Sequence, residues 1–149
     1  MEIFEASVSL PCTANEAFDF LVQPENIKLI SPASMGLFFV SAPPKLTLGS
    51  QMHFKVQAYG VIREAVHEVT EFNPSSRFVE RQTTGPMKHW VHEHTFEETS
   101  EGVLVVDRIS FEPPGGVVGL LITANRVLEN LEAGFDHRHS RLEKLLARR

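Results

Sequence analysis

The chain is short of cysteine, of basic residues and of long apolar runs. It has one cysteine, Cys12, in 149 residues. A lone thiol closes no internal disulfide and builds no cysteine zinc cage. Lys and Arg number 14 against 19 Asp and Glu, for a formal net charge of −5. Phosphate backbones are gripped by basic surfaces, so nucleic acid is not expected as a partner. No stretch approaches the roughly 18 consecutive apolar residues of a membrane span. The opening MEIFEASVSL lacks both the basic start and the apolar run of a secretory signal, so a cytoplasmic location is expected. Tyr and Trp occur once each.

What remains is ordinary folded chain. Hydrophobic residues make up 42% and charged residues 22%, which predicts one globular domain over residues 1–149 with a real core. The aromatic set is dominated by 11 Phe, which have no polar handle. Such a set builds either a Phe-rich core or a Phe-lined cavity.

Ile3 to Leu10 alternates as a strand, with Phe4, Ala6, Val8 and Leu10 on one face. Pro11 ends it. Thr13 to Glu16 then reads as a capping box, opening a short helix whose apolar side is Ala17, Phe18, Phe20 and Leu21. Pro24 stops that helix and seats a second, Glu25 to Ile30, which Pro32 closes. Strands are predicted over Gly36–Ser41, Ser50–Tyr59, Val61–Phe72, Arg77–Thr83, Lys88–Glu98 and Val103–Phe111. In Val61–Phe72 apolar residues fall on both faces. The inward face is open on pattern alone, and a bulge would reconcile the two. After Pro113-Pro-Gly-Gly116 one helix is predicted, from about Val118 to Ala147. Leu121, Ala124, Leu128, Leu131, Phe135, Arg138, Leu142 and Leu145 recur on a single face of it. At about 1.5–3 kcal/mol per buried large side chain, that stripe must cover something, and the sheet is the only surface large enough.

This order, with Asn15-Glu-Ala-Phe-Asp-Phe-Leu21, Pro24-Glu-Asn26, Leu48-Gly49, Glu71-Phe-Asn-Pro-Ser-Ser-Arg-Phe78, Trp90-Val-His-Glu-His-Thr-Phe96, Val106-Asp-Arg108 and Phe135-Asp-His-Arg-His139, resembles the START and Bet v 1-like superfamily. That superfamily includes polyketide cyclases and dehydratases, and the likeness is to its stand-alone bacterial ligand-binding branch. It covers nearly the whole chain. It implies an α+β helix-grip fold, in which a curved seven-stranded antiparallel sheet wraps a long C-terminal helix, with two short helices after the first strand. It also implies a deep cavity between helix and sheet. It does not carry a function over, because the superfamily holds carriers, hormone binders and enzymes.

The histidine-rich strand is the chemical focus. Residues two apart on a strand share a face, so Trp90, His92, His94 and Phe96 point one way and His89, Val91, Glu93 and Glu97 the other. The next strand places Val103, Val105, Asp107, Ile109 and Phe111 together. Matching the apolar faces pairs Glu98 with Val103, Phe96 with Val105 and His94 with Asp107. Cross-strand partners lie roughly 4.5–5.5 Å apart at Cβ, which predicts a His94–Asp107 contact on the inner face. Arg138 is the single charge on the helix stripe. It either snorkels to solvent or meets Asp107 and the histidines, with His139 beside it.

Four roles are weighed for this cluster. His92-x-His94-x-x-x-Glu98 matches the first half of a cupin metal motif, but Glu98 sits at the hairpin end and the second half is missing. Two histidines without a third convergent ligand rarely hold a metal, so neither metal nor cofactor is expected. A His backed by an Asp can move a proton, which makes His94 and Asp107 catalytic candidates for a cyclase- or dehydratase-type enzyme. Otherwise the cluster pins helix to sheet or orients the polar end of a ligand. The expected ligand-binding set is Trp90, His92, His94, Phe96, Asp107, Ile109, Phe135 and Arg138, and the expected ligand is a small apolar or amphipathic molecule. Val117, Val118, Leu120, Leu121 and Ile122 read either as core plus a homodimer patch or as an apolar lid at the cavity mouth. Arg141, Lys144, Arg148 and Arg149 read as a solvated helix end. An interaction module with a filled core is the reading left if no cavity exists.

Overall fold

A computed structural model describes residues 1–147. The elements run β1 (Glu2–Leu10), α1 (Ala14–Leu21), α2 (Pro24–Ile30), a 3₁₀ turn (Ala33–Met35), β2 (Phe38–Ser41), β3 (Gln51–Ala58), β4 (Val61–Asn73), β5 (Arg77–Thr84), β6 (His89–Thr99), β7 (Gly102–Glu112), α3 (Val118–Leu121) and α4 (Ala124–Leu145). The strands form one sheet in the order β1-β7-β6-β5-β4-β3-β2, antiparallel at every joint. The first strand thus pairs with the last, and α4 lies in the curve. This is the expected α+β helix-grip arrangement.

Local chemistry sets the boundaries. The Thr13 hydroxyl accepts the Glu16 amide at 3.1 Å, and the Glu16 carboxylate accepts the Thr13 amide at 3.2 Å. The capping box read from sequence is therefore present in full. Pro24 opens α2. No periodicity in the sequence announces the 3₁₀ turn. It ends at Gly36, which takes the left-handed conformation at φ 56°. It shortens the expected second strand to Phe38–Ser41.

The C-terminal helix departs from expectation. The stripe predicts one helix from Val118, but the chain forms a single short turn of helix and then breaks. Thr123 is extended, at φ −88° and ψ 159°, and its hydroxyl accepts the Arg126 amide at 3.3 Å. A Thr that caps a helix cannot also continue one. Ile122 turns fully inward at the break. The inward face downstream is consequently Val127, Phe135 and Leu142, while Leu121 and Leu145 stay exposed. Of the terminal basic cluster, Arg148 and Arg149 lie outside the described residues.

β4 resolves its two-faced pattern by bulging. The register shifts between Val66 and His67 and again between Val69 and Glu71. Ala65, His67 and Val69 are buried on the inner face, and past the second bulge Phe72 also packs inward, edge-on to Phe18 at 5.3 Å. Two apolar clusters result. One gathers α1, Phe78, Phe96, Val103 and Leu142; the other gathers Ile109, Phe111, Ile122, Val127 and Phe135.

Candidate functional site

A cavity of about 510 Å³ lies between the sheet and α4. Its apolar walls include Met52, Phe54, Val56, Ile109, Val127, Leu131 and Phe135. Trp90, His92, His94 and Arg138 also line it, together with His67 and Glu80. Phe96 and Asp107 stand behind these walls. Phe96 packs edge-on to Phe18 at 5.1 Å, and Asp107 is fully enclosed. Val117, Val118, Leu120 and Leu121 do not form the cavity mouth. They stand exposed on the far side of the Thr123 break.

The polar wall is a row across four strands. His67 on β4, Glu80 on β5, His92 and His94 on β6 and Asp107 on β7 alternate imidazole with carboxylate. The register sets this row: Glu80 pairs with His92, and His94 with Asp107. Glu98–Val103 and Phe96–Val105 also pair as the matched faces require.

The strongest contact differs from the expected one. His94 Nδ1 lies 3.1 Å from Asp107 Oδ1, but neither His94 nitrogen has an aligned hydrogen bond. The bond goes instead to the diagonal neighbour, with His92 Nε2 at 2.7 Å from Asp107 Oδ1. The cause is the ring plane. His94 lies flat against Phe78, with centroids 3.9 Å apart and planes at 9°, and His92 stacks on its other side at 3.7 Å. That clamp aims the His94 N–H past the carboxylate, while the His92 ring reaches across.

Arg138 points inward. Its Nη2 lies 3.9 Å from Asp107 Oδ1 and its guanidinium sits over the Phe135 ring at 5.2 Å. His139 Nε2 is 4.0 Å from Asp107 Oδ2. Asp107 therefore has two imidazoles of β6 on one side and Arg138 and His139 of α4 on the other. Burial by itself would raise its carboxyl, but the Arg138 charge, followed by His139, His92 and His94, holds it well below the ordinary range. Glu80 behaves alike: burial opposes ionisation, and His67, His92 and His94 outweigh it and hold the carboxyl well down. Burial works against a charged His92, yet its contacts with Asp107 and Glu80 prevail and raise it. The wall is thus built to keep two carboxylates ionised inside the protein.

His67 and Glu80 are site residues that the sequence reading missed. The signal for Glu80 was strand parity, because Phe78, Glu80 and Gln82 share one face of β5 and all three line the cavity. The signal for His67 was hidden by the two bulges. Glu98, the cupin-like carboxylate, is exposed at the end of β6. The carboxylate that does approach both histidines is Glu80 of the neighbouring strand, and Glu80, His92 and His94 bring three potential metal-ligating atoms within 4.8 Å of one another.

Among the described residues no helix is long and apolar enough to cross a membrane. No curated protein matches the sequence. Solved structures match the fold throughout. Protein CV1439 from Chromobacterium violaceum superposes with a TM-score of 0.77 at 12% identity, covering 99% of each chain. TTHA0849 from Thermus thermophilus gives 0.74 at 16% identity, covering 95% of this chain and 97% of its own. Ara h 8.0201, a Bet v 1 homologue, gives 0.67 at 10% identity over 97% of each. Identities this low establish a Bet v 1-like fold and nothing about activity. Residues 47–146, from just before β3 to the end of α4, match one family model, and the chain belongs to that family, described as domain of unknown function DUF8410.

Proposed function

We propose that this protein is a cytoplasmic, single-domain binder of an apolar or amphipathic small molecule, held between the sheet and α4. The observation that carries the reading is the cavity itself. About 510 Å³ falls within the roughly 300–1,000 Å³ of small-molecule sites, which pair apolar walls with a few convergent polar groups. Ile109, Leu131 and Phe135 would supply contact area. Trp90, His92, His94 and Arg138 would receive a polar end, with Asp107 and Phe96 supporting them from behind. Trp90 Nε1 is buried with no hydrogen-bond partner and its residue lines the cavity, so the ligand should carry an acceptor there. A cavity of this size argues against the interaction module with a filled core. The exposed Val117 and Leu120 would then serve as a contact between two copies of the chain.

A proton-transfer enzyme is the second reading, favoured by the 2.7 Å His92–Asp107 bond. An oriented imidazole at a cavity wall can act as general base or acid. This moves the catalytic candidate from His94 to His92, with Asp107 as its orienter.

Organic extraction of the purified protein followed by mass spectrometry tests the binding reading, together with saturable uptake of an apolar fluorescent probe. Finding one organic molecule per chain, or saturable uptake, supports it. The absence of both overturns it. If a bound molecule returns chemically unchanged after long incubation, and His92→Ala changes only affinity, the enzyme reading fails.

A further inference from the structure

We propose that Glu80, His92 and His94 form a binding site for a divalent first-row transition ion of the zinc or iron(II) type, with open coordination positions toward the cavity. This goes beyond the ligand-binding reading and does not depend on it.

Proton placement is the first reason. Asp107 accepts from Nε2 of His92 at 2.7 Å. In the neutral ring the lone pair is then on Nδ1, and Nδ1 lies 3.6 Å from Glu80 Oε1. His94 turns Nδ1 to Asp107 at 3.1 Å and Nε2 to Glu80 Oε2 at 3.8 Å, and that Nε2 is buried without a hydrogen-bond partner. With His92 neutral and the His94 proton on Nδ1, two ring nitrogens and a carboxylate would face one another as acceptors. Facing acceptors repel unless a cation lies between them. A proton bridges one pair; a metal ion satisfies all three.

Spacing is the second. The three ligating atoms lie within 4.8 Å of one another. Bonds of about 2.0–2.2 Å to a tetrahedral ion place ligand atoms about 3.3–3.6 Å apart. The 3.6 and 3.8 Å separations run to Oε1 and Oε2 of Glu80 respectively, so closing on one ion requires the stacked His92 and His94 rings, 22° apart in plane, to turn away from each other.

Support from behind is the third. Metal-bound histidines commonly donate their other N–H to a carboxylate, which Asp107 provides for His92. His67 Nδ1 lies 3.4 Å from Glu80 Oε1 and holds that carboxylate in place. Two nitrogens and one oxygen, with no sulfur and no all-oxygen cage, select zinc or iron(II) over calcium or magnesium.

The expectation of no metal rested on the lack of a third convergent ligand in the β6 motif. Glu80 supplies it across the β5–β6 pairing.

Cobalt(II) is the probe. The whole protein, stripped with chelator and dialysed, is titrated with Co²⁺ while its visible ligand-field bands are followed. The expected result is one Co²⁺ per chain, displaced by Zn²⁺. Glu80→Gln, close in size to the native residue, should abolish the bands, as should His92→Ala. Asp107→Asn should weaken binding on the order of 10- to 100-fold. His89→Ala, on the opposite face of β6, should bind as wild type. Because His92→Ala could simply fail to fold, Glu80→Gln is checked by circular dichroism and carries the test. No Co²⁺ binding by the wild type overturns the proposal, as does binding that survives in folded Glu80→Gln. Neither result bears on uptake of an organic probe.

Discussion

Asp107→Asn gives the most direct measure of how the polar wall is held. Asn keeps the shape and one acceptor oxygen, so the change isolates the charge. In the wild type the enclosed carboxylate faces Arg138 at 3.9 Å and takes the His92 hydrogen bond at 2.7 Å. Two unit charges at that separation interact by about 4 kcal/mol at an effective dielectric near 20. Removing one partner of a buried pair typically costs about 3–5 kcal/mol, since the other charge is left without compensation. Arg138 is the stranded group, with 12% of its side chain exposed. The expected loss is therefore about 3–5 kcal/mol, which for a chain of this length lowers the melting temperature by about 6–20 °C. Urea unfolding followed by the fluorescence of Trp90, the sole tryptophan, reads it. The coupling is isolated by adding Arg138→Met. If the two charges compensate each other, the double variant should lose about 2–4 kcal/mol less than the sum of the single losses. A loss below about 1 kcal/mol, or strict additivity, would show that Arg138 finds solvent instead and would refute the inward network.

Gly134 lies mid-way along α4 and lines the cavity, and a Cβ built there meets nothing within 4 Å. Gly134→Ala should therefore raise unfolding free energy by about 0.5–1 kcal/mol, the helix cost of glycine, and an unchanged urea midpoint would count against it. Gly134→Phe should fill the cavity and depress probe uptake. Gly102, the first residue of β7, sits at φ 152°, and a Cβ there would collide with the Leu10 carbonyl oxygen. Gly102→Ala should cost at least about 1–3 kcal/mol in the same unfolding assay. Burial, and then the nearby Glu16 charge, push the Cys12 thiol above its ordinary value. Its thiolate is thus scarcer at neutral pH than in a free peptide, and alkylation by iodoacetamide should run slower and reach its midpoint at higher pH. Glu16→Gln should shift that midpoint down, and a rate equal to that of free cysteine would contradict the placement. His94→Leu removes two ring nitrogens that lack aligned partners. It should leave stability within about 1.5 kcal/mol of wild type, as volume-conserving core changes do, while lowering Co²⁺ affinity; a loss beyond about 3 kcal/mol would mark His94 as a structural pin.

Periodicity made legible what depends on one strand and its immediate partner. The β6–β7 register followed from parity alone, because a one-residue slip would have put Phe96 and His94 in solvent. The same parity places Asp107 beside the histidines. Parity could not say which ring wins the carboxylate, since that depends on the stacking of His94 on Phe78 of a third strand. It also lost β4, where two bulges change which residues face inward. The break at Thr123 escaped because the apolar stripe runs on through it in sequence, while the hydroxyl that stops the helix is a local competitor for one backbone amide. Order and family likeness fixed the outline of the fold; the site needed contacts across four strands at once.

The polar wall is not what stability alone would select. A cluster whose purpose is to join helix to sheet would satisfy its donors, because each buried unpaired group costs about 1–3 kcal/mol. Here Trp90 Nε1, both His94 nitrogens, Arg138 Nε and Nη2 and His139 Nε2 are all buried without a hydrogen-bond partner. Packed apolar residues in place of a buried ionic cluster are often neutral or stabilising. The unmet polar groups are also not scattered. Those of Trp90, His94 and Arg138 belong to residues that line the cavity between the sheet and α4, beside Glu80 and His92. Groups left unsatisfied at random would appear at loop ends and strand edges, where water can reach them. Groups left unsatisfied around a cavity wait for partners that enter it. An ion at Glu80, His92 and His94 would employ the ring nitrogens, and the acceptor end of an organic ligand would employ Trp90 and Arg138. The two proposals share His92 and His94 and part at Glu80, which only the ion needs, and at Trp90 and Arg138, which only the organic ligand needs.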